Sequence, residues 1–234
     1  MSIKINTIPC NIGSMDNYAY IITDLDTNIC AIVDAAEEKT LVNFCSNQNI
    51  VPQYVLSTHH HEDHTNANLA LKKLYNLKII GSDIEKNKIK GIDLPLFDND
   101  TFYLGNTKIQ AILTAGHTTG HMIWYLPDDK AVFTGDLLFN LTIGGIFEGT
   151  PQQMWQSLQK LKQLPDDTRF YPGHEYTHAS LGYLTSQIDK PAFQQYLEFL
   201  QTTQPPVGNT LALEKRCNPY LQIQSETDFV NSMR

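Results

Sequence analysis

The sequence predicts an α/β protein, with a mixed domain over residues 1–175 and a small helical domain over residues 176–234. Three observations carry this prediction. Strand-like and helix-like apolar patterns alternate through the first half of the chain. Beyond Tyr176 the spacing becomes helical only, with Leu181, Leu184 and Ile188 followed by Phe193, Tyr196, Leu197 and Leu200, until Pro205-Pro206-Val207-Gly208 breaks it. The 8 histidines fall in three short clusters, each just after a strand-like run.

The elements follow in order. Ser2–Ile8, Tyr18–Thr23 and Ile29–Val33 are rich in β-branched and aromatic residues and read as short strands. Asp34-Ala35-Ala36-Glu37 has the Asp-x-x-Glu form of a helix start, and Leu41, Val42, Phe44 and Cys45 would make that helix's apolar face. Tyr54–Ser57 reads as a buried strand ending at the first histidine cluster. Thr65–Tyr75 is expected to be helical, with Leu69, Ala70, Leu74 and Tyr75 inward. After Gly105 come strands at Lys108–Leu113, Met122–Leu126 and Ala131–Thr134, the last two joined by a turn at Pro127-Asp128-Asp129. Thr150-Pro151-Gln152-Gln153 offers an N-cap, a proline at the first helical position and a glutamine at the third. Met154, Trp155, Leu158 and Leu161 supply the core stripe of that helix. Asp167–Tyr171 reads as a final strand.

Composition narrows the function. Lys+Arg 17 against Asp+Glu 25 gives a net charge of −8, the wrong sign for a general nucleic-acid binder. Hydrophobic residues at 41% and charged residues at 18% describe a globular chain rather than a disordered one. No apolar run approaches the ~18 residues of a membrane span. The N-terminus meets Pro9 without an apolar signal core, and Cys10, Cys30, Cys45 and Cys217 show no C-x-x-C spacing. A reducing, cytoplasmic setting is the expectation.

Thr58-His59-His60-His61-Glu62-Asp63-His64 carries the chemistry. In extended backbone, residues two apart point the same way, so His59 and His61 can face one ion together. Asp63 and His64 sit at the mouth of the next helix, within reach of a second ion, while His60 and Glu62 should point away. Imidazole suits zinc and iron, and a carboxylate can bridge two ions. Gly116-His117, Gly135-Asp136 and Gly173-His174 each put a further ligand type beside a glycine at a strand's end.

This pattern resembles the metallo-β-lactamase superfamily, with its H-x-H-x-D-H run followed by His, Asp and His. Gly116-His117-Thr118-Thr119-Gly120-His121, Phe133-Thr134-Gly135-Asp136, Phe147-Glu148-Gly149-Thr150 and Gly173-His174-Glu175-Tyr176-Thr177 are similar to the glyoxalase II family, the hydroxyacylglutathione hydrolases. Cys217-Asn218-Pro219-Tyr220-Leu221 resembles that family's C-terminal Asn-Pro motif. The resemblance implies a four-layer αββα sandwich with a helical substrate-binding domain. It implies two divalent ions, zinc first and iron or manganese as alternatives, with His59, His61 and His117 on one and Asp63, His64 and His174 on the other. Asp136 would bridge them together with a hydroxide, Asp63 would accept a proton, and His121 would support rather than ligate. Phe147 and Tyr176 are implied substrate contacts. The family commonly carries a cation where Gly145 and Gln222 stand here, and Lys215 and Arg216 are candidates to replace those charges. The implied activity is hydrolysis of a small-molecule thioester, S-2-hydroxyacylglutathione such as S-lactoylglutathione. The alternatives are a related thioesterase acting on another thiol and a mononuclear-iron persulfide dioxygenase. No nucleic-acid or membrane partner is expected.

Overall fold

A computed structural model describes residues 2–183 and 191–233 of the chain. Strands β1 (Ile3–Cys10), β2 (Asn17–Asp24) and β3 (Cys30–Val33) pair antiparallel in that order. Beside β3 run β4 (Tyr54–Leu56), β5 (Lys78–Ser82) and β6 (Ile92–Leu96), all parallel, completing a six-stranded sheet. Helix α1 (Glu38–Gln48) connects β3 to β4. The short α2 (Glu62–Thr65) and α3 (Asn68–Tyr75) connect β4 to β5.

A second six-stranded sheet begins as an antiparallel meander: β7 (Thr101–Leu104), β8 (Thr107–Leu113), β9 (Met122–Leu126) and β10 (Ala131–Gly135). Strands β11 (Leu138–Phe139) and β12 (Thr142–Ile143) form a separate hairpin. After α4 (Pro151–Lys162), β13 (Arg169–Pro172) adds parallel to β10, and β14 (Asn209–Thr210) closes that edge. The remaining helices are α5 (Thr177–Tyr183), α6 (Pro191–Thr202), α7 (Leu211–Cys217), α8 (Pro219–Gln222) and α9 (Glu226–Ser232).

Side-chain alternation along the strands builds four layers. Tyr20, Ile22, Leu56 and Ile80 face inward and meet Ala111, Trp124 and Phe133 of the second sheet. Their neighbours Ile21, Ile32, Val55 and Ile79 face outward onto Leu41 and Cys45 of α1 and Leu71 of α3. On the far side, Ile123, Val132 and Phe170 meet Met154, Trp155, Leu158 and Leu161 of α4. The result is an αββα sandwich. The capping box at Thr150 forms as expected, its hydroxyl accepting from Gln153 N and the Gln153 side chain accepting from Thr150 N. Such a cap contributes about 1 kcal/mol.

The predominantly helical stretch past 176 is present where described, while Leu184 and Ile188 lie outside the described residues. It does not stand apart from the sandwich. Strand β14 pairs with β13, and Phe229 of α9 sits 5.6 Å from Trp155 of α4, ring centre to ring centre. Helices α6 and α7 form their own cluster through Phe193, Tyr196, Leu213 and Cys217, with Leu141 of the β11–β12 hairpin inserted into it.

Three expectations need correction. Asp34 does not cap α1: the cap position is Glu37, without a side-chain bond, because the Asp34 carboxylate is buried and engaged elsewhere. Leu69 and Leu74 of α3 are exposed and Ala67 and Leu71 are buried instead. The helix is entered from the short α2, and Asn68 at its start bonds inward to Ser57, which turns the Leu71 face to the core. Between Tyr75 and Gly105 the chain forms β5, β6 and β7, where no strand was anticipated. Pro95 is tolerated in β6 because that strand lies at the sheet edge. Among the described residues, no helix is long and apolar enough to cross a membrane.

Candidate metal centre

Strands β4, β10 and β13 and the β8–β9 connection end on the same side of the sandwich, and the ligand-type residues come from those ends. Two groups of three converge: His59, His61 and His117, and Asp63, His64 and His174. Asp136 touches both groups. Its Oδ1 lies 3.3 Å from His64 Nε2, and its Oδ2 lies 3.4 Å from both His117 Nε2 and His174 Nε2. Packing is tight enough to require glycine at 173, where a Cβ would stand 2.5 Å from Asp136 Oδ1 and 2.9 Å from His64 Cε1.

The outward ring nitrogens fix which nitrogen faces the centre. His117 Nδ1 donates to Gly145 O at 2.7 Å, and His174 Nδ1 donates to Met15 O at 2.8 Å. His64 Nδ1 donates to Asp34 Oδ2 at 3.0 Å. Thr58 Oγ1 gives its own hydrogen to Asp34 Oδ2, so it accepts from His59 Nδ1 at 3.0 Å. Four Nε2 atoms are thereby turned inward, those of His59 and His117 with lone pairs aimed at the centre. His59 Nε2 and His117 Nε2 each face His61 Nδ1 at 3.0 Å, and His64 Nε2 faces His174 Nε2 at 3.1 Å. One proton on His61 Nδ1 cannot satisfy two acceptors, whereas a cation between them can. Asp136 Oδ1 is buried without a hydrogen-bond partner. This donor set fits a dinuclear metal centre.

Electrostatics agree. Burial opposes charge on His64, yet the Asp136 and Asp34 carboxylates outweigh it and hold the imidazole well above the ordinary histidine range. Burial would likewise raise Asp136, but the His64 and His174 imidazoles hold it well below the carboxylate range. Carboxylates thus favour positive charge at His64 and His174, whereas burial holds His59, His61 and His117 below the ordinary histidine range. Asp63, partly exposed, accepts from Asn17 Nδ2 at 3.0 Å.

The neighbouring residues divide as follows. His60 and the exposed Glu62 turn away from the centre, His60 toward Glu85 at 3.1 Å and Glu148 at 3.3 Å. His121 Nε2 accepts from the Asp136 backbone N–H at 3.1 Å, a supporting position. Phe147 is 73% exposed with its ring 5.2 Å from that of His117, and Tyr176 stacks on His174 at 4.8 Å and 9°. Beside them a groove of about 480 Å³ is walled by Phe139, Leu141, Ile143, Tyr176 and Tyr220. Lys215 reaches Asp166 at 2.6 Å and Leu164 O at 3.1 Å, and Arg216 reaches Gln195 at 2.9 Å. Neither lines the groove.

Two contributors had escaped the sequence reading. Asp34 orients a ligand of each group, through Thr58 and through His64, and its position at a strand's end was the available signal. Tyr220, one residue past the Asn-Pro pair, carried no signal beyond that motif.

The family model described as metallo-beta-lactamase superfamily matches residues 17–174. The hydroxyacylglutathione hydrolase of Pelagibacter ubique is 36% identical over 219 residues, 92% of each chain. That of Rhizobium meliloti is 39% identical, covering 88% of this chain and 83% of its own. ETHE1 from Myxococcus xanthus superposes with a TM-score of 0.77 at 25% identity, over 98% of this chain and 89% of its own. The BLEG-1 B3 metallo-beta-lactamase, at 20% identity and a TM-score of 0.74 over 94% of this chain and all of its own, shares the fold. The chain belongs to the metallo-beta-lactamase superfamily and, within it, to the hydroxyacylglutathione hydrolase family.

Proposed function

We propose that the protein is a metal-dependent thioester hydrolase that converts S-2-hydroxyacylglutathione, with S-lactoylglutathione as the reference substrate, to the 2-hydroxy acid and glutathione in the cytoplasm. The observation that carries this reading is the pair of three-residue groups sharing Asp136, with inward nitrogens fixed by outward hydrogen bonds. His59, His61 and His117 would hold one divalent ion and Asp63, His64 and His174 the other, zinc being the first choice for imidazole with carboxylate. Such a pair lowers the pKa of a water toward ~7 and polarises a carbonyl.

The chain's own residues do the rest. Asp136, anchored by His121 through its backbone, keeps the two groups in register. Asp63 is the partly exposed carboxylate of the centre and accepts the proton released by the attacking water. The departing thiolate has a conjugate acid of pKa about 8–9 and leaves without a dedicated general acid. Phe147 and Tyr176 flank the entrance, and residues 176–234 contribute the groove wall through Tyr176 and Tyr220. Lys215 and Arg216 can serve glutathione's carboxylates only by leaving Asp166 and Gln195.

Thiol release from S-lactoylglutathione by the purified protein, before and after chelation and after return of zinc, iron or manganese, tests the proposal. Turnover that chelation abolishes and a divalent ion restores is expected. Chelator-insensitive turnover, no turnover, or oxygen uptake with glutathione persulfide in its place would overturn it.

A further inference from the structure

Glu214, on α7, is fully buried, and among the described residues its side chain meets uncharged donors. Its Oε2 accepts from Asn218 Nδ2 at 3.0 Å and from Leu141 N at 3.2 Å. Its Oε1 accepts from the Tyr196 hydroxyl of α6 and from Asn209 Nδ2 at 3.4 Å, at the edge of the second sheet. A carboxylate can take four donors where an amide or hydroxyl cannot, which gives a physical reason for an acid here. Burial pushes its carboxyl up to about 7, against the pull of Tyr196, Asn218, Leu141 N and Asn209.

One of those partners, Leu141, lines the substrate groove, and another, Asn218, holds residues that do. Leu141 turns the β11–β12 hairpin with a left-handed φ of 63°, a conformation that disfavours leucine and needs an external hold. Its N–H goes to Glu214, and its side chain is buried against α6 and α7. Asn218 bonds Thr142 O at 3.0 Å with the same amide that reaches Glu214, and its Oδ1 accepts from Tyr220 N, starting α8. Leu141, Thr142 and Tyr220 all line the groove, and Phe139 of the same hairpin stands edge-on to His174 at 5.6 Å. One buried carboxylate thus ties both walls of the groove together from behind.

Building on the hydrolase reading, we infer that Glu214 is a positioning residue that sets the spacing between the Leu141–Ile143 wall and the Tyr220 wall, and so governs affinity for the thiol half of the thioester. It touches neither the centre nor the groove surface, so its influence falls on KM rather than on the chemical step. A substrate too short to enter the groove escapes that influence.

The test uses the metal-loaded full-length protein and two thioesters, S-lactoylglutathione and the short S-lactoyl-N-acetylcysteamine. Glu214→Gln sets an N–H2 against groups that are themselves donors. Asn218→Ser keeps an acceptor for Tyr220 N but deletes the amide that reaches Thr142 and Glu214. The glutathione thioester should show KM raised about tenfold in Glu214→Gln and about threefold in Asn218→Ser, with kcat changed less than twofold. The kcat/KM ratio between long and short substrates should fall by the same factors. Equal losses on both thioesters, or unchanged ratios, overturn the inference. If Glu214→Gln fails to fold, Asn218→Ser decides alone. Wild-type protein that cleaves neither thioester overturns the hydrolase reading itself, an outcome separate from altered selectivity.

Discussion

Asp136 and Glu214 are both buried carboxylates, and their surroundings treat them oppositely. Asp136 lies among imidazoles that hold it well below its ordinary range, so the centre keeps its charge. Glu214 lies among a phenol, two amides and a peptide N–H, and burial raises it to about 7. The first environment is built to concentrate charge for chemistry. The second uses a carboxylate for its four-fold acceptor capacity, to hold backbone in a chosen shape. Chemistry and thiol affinity are therefore assigned to different networks, joined by the hairpin that follows Asp136.

The largest effect should come from breaking the first network. Asp136→Asn removes the charge that faces both groups, and kcat/KM for the thioester should fall by about 10³-fold or more, roughly 4 kcal/mol of transition-state stabilisation. Metal content measured beside the rate shows whether ions are lost as well. A loss below tenfold would mean that the centre is not organised around this residue.

The second network should declare itself in stability against pH. Burial pushes the Glu214 carboxyl from its ordinary value of 4.5 up to about 7. Between those values the folded state holds a proton that the unfolded state has released. Its contribution is full below about 4.5 and is lost as pH rises to about 7, a change of about 3 kcal/mol. The difference in denaturation free energy between wild type and Glu214→Gln, followed from pH 4.5 to 8, isolates that group. A flat difference would show that Glu214 is not the raised acid.

How far the sequence reveals these two regions differs for a physical reason. The candidate ligands stand out because metal chemistry restricts residue type and strand ends restrict spacing, and His59, His61, Asp63, His64, His117, Asp136 and His174 do converge. The sandwich was legible through alternation in strands such as Tyr20-Ile21-Ile22, whose two faces serve different layers. Strands β5 to β7 were not, since their short runs acquire strand identity from neighbours rather than from their own pattern. Asp34 resembled a helix cap because Asp-x-x-Glu spells one locally, and only Thr58 and His64, distant in sequence, reveal its use. Glu214 carries no local signal. Its partners lie at 141, 196, 209 and 218, and only the folded chain assembles them.

Asp34 offers a way to perturb the centre from outside. Asp34→Asn weakens the hold on Thr58 and on His64 Nδ1 without deleting a ligand. Metal affinity should fall 10- to 100-fold, about 1.4–2.7 kcal/mol. The rate at saturating metal should stay within several-fold of wild type. Competition with a chromogenic chelator measures the affinity, and a rate that falls while affinity is unchanged would assign Asp34 to the chemistry instead.

Tyr176 should give the smallest effect and the finest discrimination, because it belongs to both regions. Its ring stacks on His174 while its outer edge lines the groove. Tyr176→Ala removes that stack and one groove wall, and KM for S-lactoylglutathione should rise about fivefold, near 1 kcal/mol, as aromatic pairs of this kind contribute. Tyr176→Phe separates the two roles. If Phe restores KM, the ring face is what matters and Tyr176 belongs with His174. If Phe retains the raised KM, the hydroxyl contacts substrate, and the boundary between chemistry and affinity runs through this one side chain. A fall in kcat alone in both variants would place Tyr176 wholly with the centre and remove it from the groove that Glu214 supports.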